Sequence, residues 1–222
     1  MTKIHRISVD SKQKSSEAIL MQKKLKSLGY DVEIVAVSRV YTTDYDFSDD
    51  QIVKISNALH NNLVHSVRID SGFKKEFTFA LELGFLPGVT DNVANTTTEI
   101  INDLFKINIG LSKVFSTKVV FIKSTSLKEE DIKSIANELI NLLIERFHIK
   151  SYDQYVQDNG MDAITPKVNL VTEPKVVDIN LDVSDEELIE LGKKGVLDPD
   201  TNQRRGPLAL DLDYLYAIKE YF

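Results

Sequence analysis

The chain has 222 residues, 42% of them hydrophobic, with a formal net charge of −7 and no cysteine. That is long and apolar enough for a packed core in one large domain, or in a domain with an appendage, and wholesale disorder is excluded. Disulfides, thiolate zinc sites and a thiol nucleophile are excluded as well; no basic run tracks phosphates, and no apolar run reaches the ~18–20 residues of a membrane span, so nucleic acid and membrane are not expected partners and a cytoplasmic location is.

In chain order, "IHRISV" (4–9) alternates as a strand and leads to a helix with Ala18, Met21, Leu25 and Leu28 on one face, stopped by Gly29. "DVEIVAV" is a strand, with "SRVYTTDYD" as its hairpin continuation. Ser48 or Asp49 caps a helix carrying Ile52, Ile55 and Leu59, and "HSVRID" closes the first unit. The second unit opens with "FTFALEL" (77–83). A loop then leads to a helix with Val93, Thr97, Ile100, Ile101, Leu104 and Phe105 inward. "IGLSKVF" and "TKVVFIK" are two strands across a polar turn. A long helix follows with Ile132, Ile135, Ala136, Leu139, Ile140, Leu143 and Phe147 in register, and the closing strand is best placed at "KVVDINL" (175–181).

This order predicts an α+β fold of duplicated ferredoxin-like β-α-β-β-α-β units, about 1–75 and 76–150, each with helices on one sheet face. The uncovered faces, expected to be apolar, would bury against each other as a pseudo-dimer of two packed sheets. Residues 151–175 read as a polar, flexible connection, and 182–222 as an acidic helical linker. Charge marks the boundary: residues 1–150 carry 20 Lys and Arg against 19 Asp and Glu, residues 151–222 carry 7 against 15.

Three stretches could carry chemistry. In "LPGVTDNVANTT", Pro87 and Gly88 form a turn and Thr90, Asp91 and Asn92 offer oxygens at a helix start. Free amides there can hold an anion, yet Asp91 would repel one and no Lys or Arg flanks the loop, so a turn and cap is the favoured reading. In "DVSDEELIELGKKG", Ser184 and Glu187 form a capping box, and the clustered acids read as a solvated helix start rather than a metal site or acid–base pair. Arg204 and Arg205 could bind a phosphate or balance the tail's own acids, and the two readings are even. The four histidines lack metal-ligand spacing and read as surface or capping residues. At the end of the chain Asp211 caps a helix whose stripe, Leu212, Leu215, Ile218 and Phe222, is expected to lack a partner within the chain and so to fray, or to fold back onto the first 150 residues or a second copy.

"NALHNNLVHSVRID" and "LPGVTDNVANTTTEIINDL" resemble the small S subunit of bacterial phosphoribosylformylglycinamidine synthase, FGAM synthase, whose family has a Pro-Gly-Val-x-Asp turn before the first helix and an Asn-plus-apolar step before the last strand. Pro87, Gly88, Val89 and Asp91 match the turn in the second unit; Asn62, Leu63 and Val64 match the step in the first, so each unit keeps a mark the other has lost. "VSDEELIELGKKG" and "GPLALDLDYLYAIKEYF" resemble, in order, the linker that joins the S-like domain to the ATP-using domain of the single-chain form. The resemblance implies a scaffold region of a glutamine-dependent ligase that converts formylglycinamide ribonucleotide to the amidine in purine synthesis. The glutaminase cysteine and the ATP and magnesium ligands of that family lie downstream of the linker, so no catalytic, cofactor or metal residue carries over, and the chain alone is expected to be an inactive N-terminal fragment. Its implied partners are the synthetase and glutaminase domains. The alternative is a small-molecule-sensing regulatory module of the same fold class, since fold does not set function.

Overall fold

The computed structural model describes residues 3–167, 179–197 and 204–221, and the chain forms two compact units, residues 1–169 and 170–222. The first unit contains β1 (His5–Ser11), α1 (Ser16–Ser27), β2 (Glu33–Thr43), α2 (Asp49–Leu59), β3 (His65–Ile69), β4 (Phe79–Phe85), α3 (Asn92–Phe105), β5 (Val114–Lys123), α4 (Glu129–Leu139), β6 (Glu145–Ser151) and α5 (Tyr152–Gln157). The fold is α+β: one six-stranded sheet, antiparallel throughout, in the order β3-β1-β2-β5-β4-β6.

Each half is therefore β-α-β-α-β, without the expected hairpins, and a single sheet replaces two packed ones. Neither "VSRVY" nor "VFSTKVV" holds a Gly, Pro or Asn to turn the chain, and most of the polar residues in them have partners on neighbouring strands or helices. Ser38 hydrogen-bonds Asp10, Ser116 bonds Asp91, Thr117 bonds Glu82, and Lys118 pairs with Glu17. β2 and β5 thus run unbroken and pair with each other from Glu33↔Lys123 to Thr43↔Val114, with a bulge between Ile34 and Ala36.

Side-chain alternation decides what faces what. Ile7, Val9, Ile34, Val37, Tyr41, Leu81, Val120 and Ile122 point to one face, where α1 and α4 cover one half and α2 and α3 the other. Ala18 and Leu25 of α1, Ile52 and Ile55 of α2, Ala94 and Ile101 of α3, and Ile132, Ile135 and Ala136 of α4 are buried there. In α3 the inward stripe is rotated from expectation: Ala94, Thr97, Thr98 and Ile101 are buried, whereas Val93 and Leu104 are exposed.

The long helix expected to reach Phe147 ends at Leu139, and the closing strand is β6 rather than 175–181. Of that stretch, 175–178 lie outside the described residues and 179–181 are not in a strand. Asn141 ends the helical course: its side chain accepts from the Leu143 amide (3.1 Å), its carbonyl accepts from Glu145 (2.8 Å), and its own amide donates to the Glu145 carboxylate (2.8 Å). Eighty residues earlier Asn61 does the same, accepting from the Leu63 amide (3.0 Å) and the His65 amide (2.8 Å), while its own amide donates to the His65 ring (3.3 Å). The apolar step before the last strand is present in both halves, so the second half has not lost it, and Asn61 rather than Asn62 is the residue that makes it.

The connection read as flexible from residue 151 opens instead with α5, capped by Ser151, and buries Tyr155 and Met161; residues 168–175 lie outside the described ones. The second unit contains α6 (Asp185–Lys194), the short strands β7 (Val196–Leu197) and β8 (Arg204–Arg205), which pair, and α7 (Leu212–Tyr221). The capping box of Ser184 and Glu187 and the cap at Asp211 form as expected. α7 does have a partner in the chain. It packs on α6, burying Leu215 and Leu188, with Tyr216 bonded to Asp185 and Lys219 to Asp182. Gly192 makes this approach possible, because a Cβ there would collide with the Leu210 carbonyl.

Replacing Asn61 or Asn141 by Ala removes the same side-chain bond from two equivalent turns. Each substitution should cost about 0.5–1.5 kcal/mol by urea denaturation, and a loss at one turn only would contradict their equivalence.

Candidate functional site

The face of the sheet away from the four helices is not the apolar surface expected. Its outward positions are Arg6, Ser8 and Asp10 on β1, Ser38 and Thr42 on β2, Arg68 on β3, Glu82 on β4, Thr117 on β5, and Arg146, His148 and Lys150 on β6. A central apolar bar of Val40, Ala80, Val119 and Phe121 interrupts them. Phe73, Phe77, Tyr155 and Met161 cover this bar, with Phe73 stacked on Phe121 at 4.1 Å and Tyr155 edge-on to Phe77 at 5.1 Å. The charges lie on either side, and burial demands that they be paired.

On the β1–β3 side Arg68 grips Asp10 with two nitrogens, at 2.6 and 3.1 Å, while Ser38 donates to the same carboxylate. Burial works against the Arg68 charge, but the hydrogen bond and charge of Asp10 outweigh it and hold the guanidinium above its usual range. Arg68 also donates to the Ser71 carbonyl and lies 5.3 Å from the centre of the Phe73 ring.

In the middle, Glu82 is 2% exposed. Its Oε1 accepts from Arg6 Nη2 (2.9 Å) and from Thr117 Oγ1 (2.6 Å), while its Oε2 has no partner among the described residues. Arg146 donates to the Phe85 carbonyl (3.2 Å), and burial lowers its pKa despite the attraction of Glu82. Beyond it Lys150 joins three acceptors of the covering segment: Asp158 (2.7 Å), Asp162 (2.6 Å) and the Gly160 carbonyl (3.0 Å). His5, read as a surface or capping residue, is buried against Asp70 at 2.6 Å.

The loop singled out in the sequence lies beside this face. Gly88 adopts a positive φ in the turn, and Gly88, Thr90, Asp91 and Asn95 line a cleft of about 250 Å³ together with Thr117, Arg146 and Pro166. An arginine thus does reach the loop, from 55 residues beyond Asp91. Asp91 itself is fully engaged: it caps α3 through the Ala94 amide (2.8 Å) and accepts from the Ser116 amide and hydroxyl (2.8 Å each). The loop is a cap riveted to β5. Pro87, Gly88, Thr90 and Asn92 remain exposed.

The tail candidates lie in the second unit. Arg204 donates to the Gly195 carbonyl (2.9 Å) and pairs with Glu190 (3.2 Å), so it serves the fold of its own unit. Only the backbone of Arg205 is described, and Phe222 lies outside the described residues. Leu215 is buried, and Leu212 and Ile218 are half-buried against α6. Among the described residues no group of His, Asp and Glu has the arrangement of a metal site, and no helix is long and apolar enough to cross a membrane.

The sequence did signal this charged face. Glu82 stands alone in the apolar strand "FTFALELGF", and Arg6, Ser8 and Asp10 alternate with Ile7 and Val9. A strand whose polar register is as regular as its apolar one has two structured faces. Compared with protein-family models and with curated proteins, the chain matches none.

Two outcomes follow from the pairing. Glu82→Ala takes the carboxylate from the Arg6 guanidinium and leaves it the Asp162 carbonyl (2.7 Å), which should cost about 3–5 kcal/mol in urea, whereas Arg6→Met with Glu82→Leu together should cost less than that single change; a Glu82→Ala protein of unaltered stability would refute this. The hydrogen bond from Lys150 holds Asp162 below its ordinary 3.8, and its two aspartate bonds hold Lys150 above 10.5 despite partial burial. The stability from Asp162 is therefore complete above 3.8 and is lost as pH falls through its lowered value. The part from Lys150 is complete below 10.5 and is lost as pH rises through its raised one. Hydrogen-exchange protection factors of residues 152–163, which remove the intrinsic pH dependence of amide exchange, should fall only beyond those two limits, and Lys150→Met should lower them at neutral pH.

Proposed function

We propose that this chain is the scaffold and interaction region of an amidotransferase of the phosphoribosylformylglycinamidine synthase type. Residues 1–150 are its duplicated S domain, two β-α-β-α-β halves sharing one sheet, and 182–222 its linker. The observation that carries this reading is the pair of matching turns before β3 and β6. They repeat at an interval of 80 residues with the same hydrogen bonds, and each lifts apolar side chains into solvent: Leu63 (79% exposed) and Val64 in one, Leu142 and Leu143 (85%) in the other.

Two like apolar projections on a sheet built from two like halves suit a part that seats against other protein surfaces at two places. The motif resemblance names those surfaces: the ATP- and magnesium-using synthetase domain and the glutaminase domain. In this reading the chemistry belongs to them, and this region holds them in the arrangement that keeps ammonia from escaping.

The test uses the purified chain with a synthetase and glutaminase polypeptide of this enzyme class that lacks the corresponding region. A stoichiometric complex should form on size exclusion and support glutamine-dependent amidine synthesis. Leu63→Asp with Leu143→Asp should weaken the complex about tenfold, the loss of some 1.4 kcal/mol of apolar burial, without altering the melting temperature. Absence of any complex, or turnover by the chain alone, would overturn the reading.

A further inference from the structure

We propose that the cleft beside Arg68 binds a compact phosphate-bearing small molecule, a role that does not depend on the amidotransferase reading. The cleft encloses about 610 Å³ between the β1–α1 loop, β3 and the β3–β4 connection. That lies within the range of small-molecule sites, about 300–1,000 Å³.

Its walls carry five cations, Lys12, Lys14, Arg68, Lys74 and Lys75, against one acid, Asp10. Asp10 is already committed to Arg68 and Ser38. Lys12 Nζ donates to the Asn62 carbonyl (2.6 Å) and Lys14 Nζ to the Gln22 side-chain carbonyl (2.7 Å), two neutral acceptors that position an ammonium without neutralising it. An ammonium has three N–H donors, so both keep donors to spare. Among the described residues no carboxylate pairs with any of the four lysines. Elsewhere the chain pairs many of its surface lysines with acids: Lys3 with Asp49, Lys118 with Glu17, Lys123 with Glu76, Lys133 with Glu129. In a chain of net charge −7, four unneutralised lysines around one concavity form a local positive field.

Two further features suit a phosphate. Ser15, the N-cap of α1, lines the cleft, so the positive end of the α1 dipole adds to the lysines. The nearest acid of that helix, Glu17, is drawn off by Lys118 at 2.6 Å. Val35, Ala36 and the Phe73 ring supply an apolar wall for the rest of the ligand.

The probe is inorganic pyrophosphate, titrated calorimetrically into the full chain at low ionic strength. The expected result is saturable one-to-one binding that weakens with added salt. Lys74→Glu with Lys75→Glu should weaken it at least about tenfold, the worth of one lost charge-assisted hydrogen bond. Lys23→Glu with Lys54→Glu, the same change in net charge on exposed helix positions outside the cleft, should leave affinity unchanged. Melting temperatures identify any variant that fails to fold, and Lys12→Gln with Lys14→Gln then takes the place of the first pair. Absence of saturable binding would overturn the proposal. So would equal loss in both glutamate pairs, which signals net charge alone, or tighter binding of a short single-stranded oligonucleotide through the same lysines, which signals a nucleic-acid surface.

Discussion

The antiparallel seam between β2 and β5 is the constraint from which the rest of the first unit follows. Those strands are the longest in the sheet, and their pairing converts two three-stranded halves into one continuous surface. Because residues in a strand alternate between faces, a single seam register assigns every side chain to the helix-covered side or to the open side. A slip of one residue would send Val120 and Ile122 outward and bring Thr117 and Val119 under the helices. The buried apolar clusters on the covered side therefore lock the seam, and the seam in turn places Glu82, Arg6 and Thr117 within reach of one another although they come from three strands.

Much of the local structure was legible from the chain. Capping by Ser48, Ser184 and Asp211, the stop at Gly29 and most of the apolar faces of α1 and α2 follow from short-range rules that depend on few neighbours, although Leu28, read into the α1 stripe, is its exposed cap. What was not legible depended on partners distant in sequence. Ser38 and Ser116 read as turn residues because their acceptors, Asp10 and Asp91, lie 28 and 25 positions away. Leu143 and Phe147 fell into helical register with Ile132 and Ile135 although a turn and a strand begin at Asn141; three-four spacing cannot reveal that an Asn side chain has captured the backbone. The stripe of α7 read as unpartnered because α6 can meet it only where Gly192 leaves room, some 20 residues away along the chain. The candidate loop at 87–92 was recognised as a cap, whereas the cationic cleft was not recognised at all. Its lysines come from two separate loops that only the sheet brings together.

The open face shows how a protein can keep charge in its interior. Arg68, Arg6, Glu82 and Lys150 are each largely buried, and each is held by at least one oppositely charged partner. The apolar bar between them does the opposite work: it excludes water from the middle of the face and gives α5 and the following segment a surface to grip. Such alternation stabilises less per unit area than a uniformly apolar face, but it specifies position more sharply, since a charged group accepts few alternative partners.

The seam also has a consequence for assembly. Its paired residues are 71 to 90 positions apart along the chain, and both buried clusters draw residues from both halves, so neither core is complete until the two halves meet. Nothing in the pairing of β2 with β5 requires both to belong to one molecule. At high concentration the first half of one chain can meet the second half of another, form every native strand pair and bury every native core residue, and yield an exchanged dimer whose interior matches that of the monomer. The segment that decides between the two outcomes is the short connection between β3 and β4. Its length and stiffness, more than any contact in the finished sheet, set how readily the molecule closes on itself.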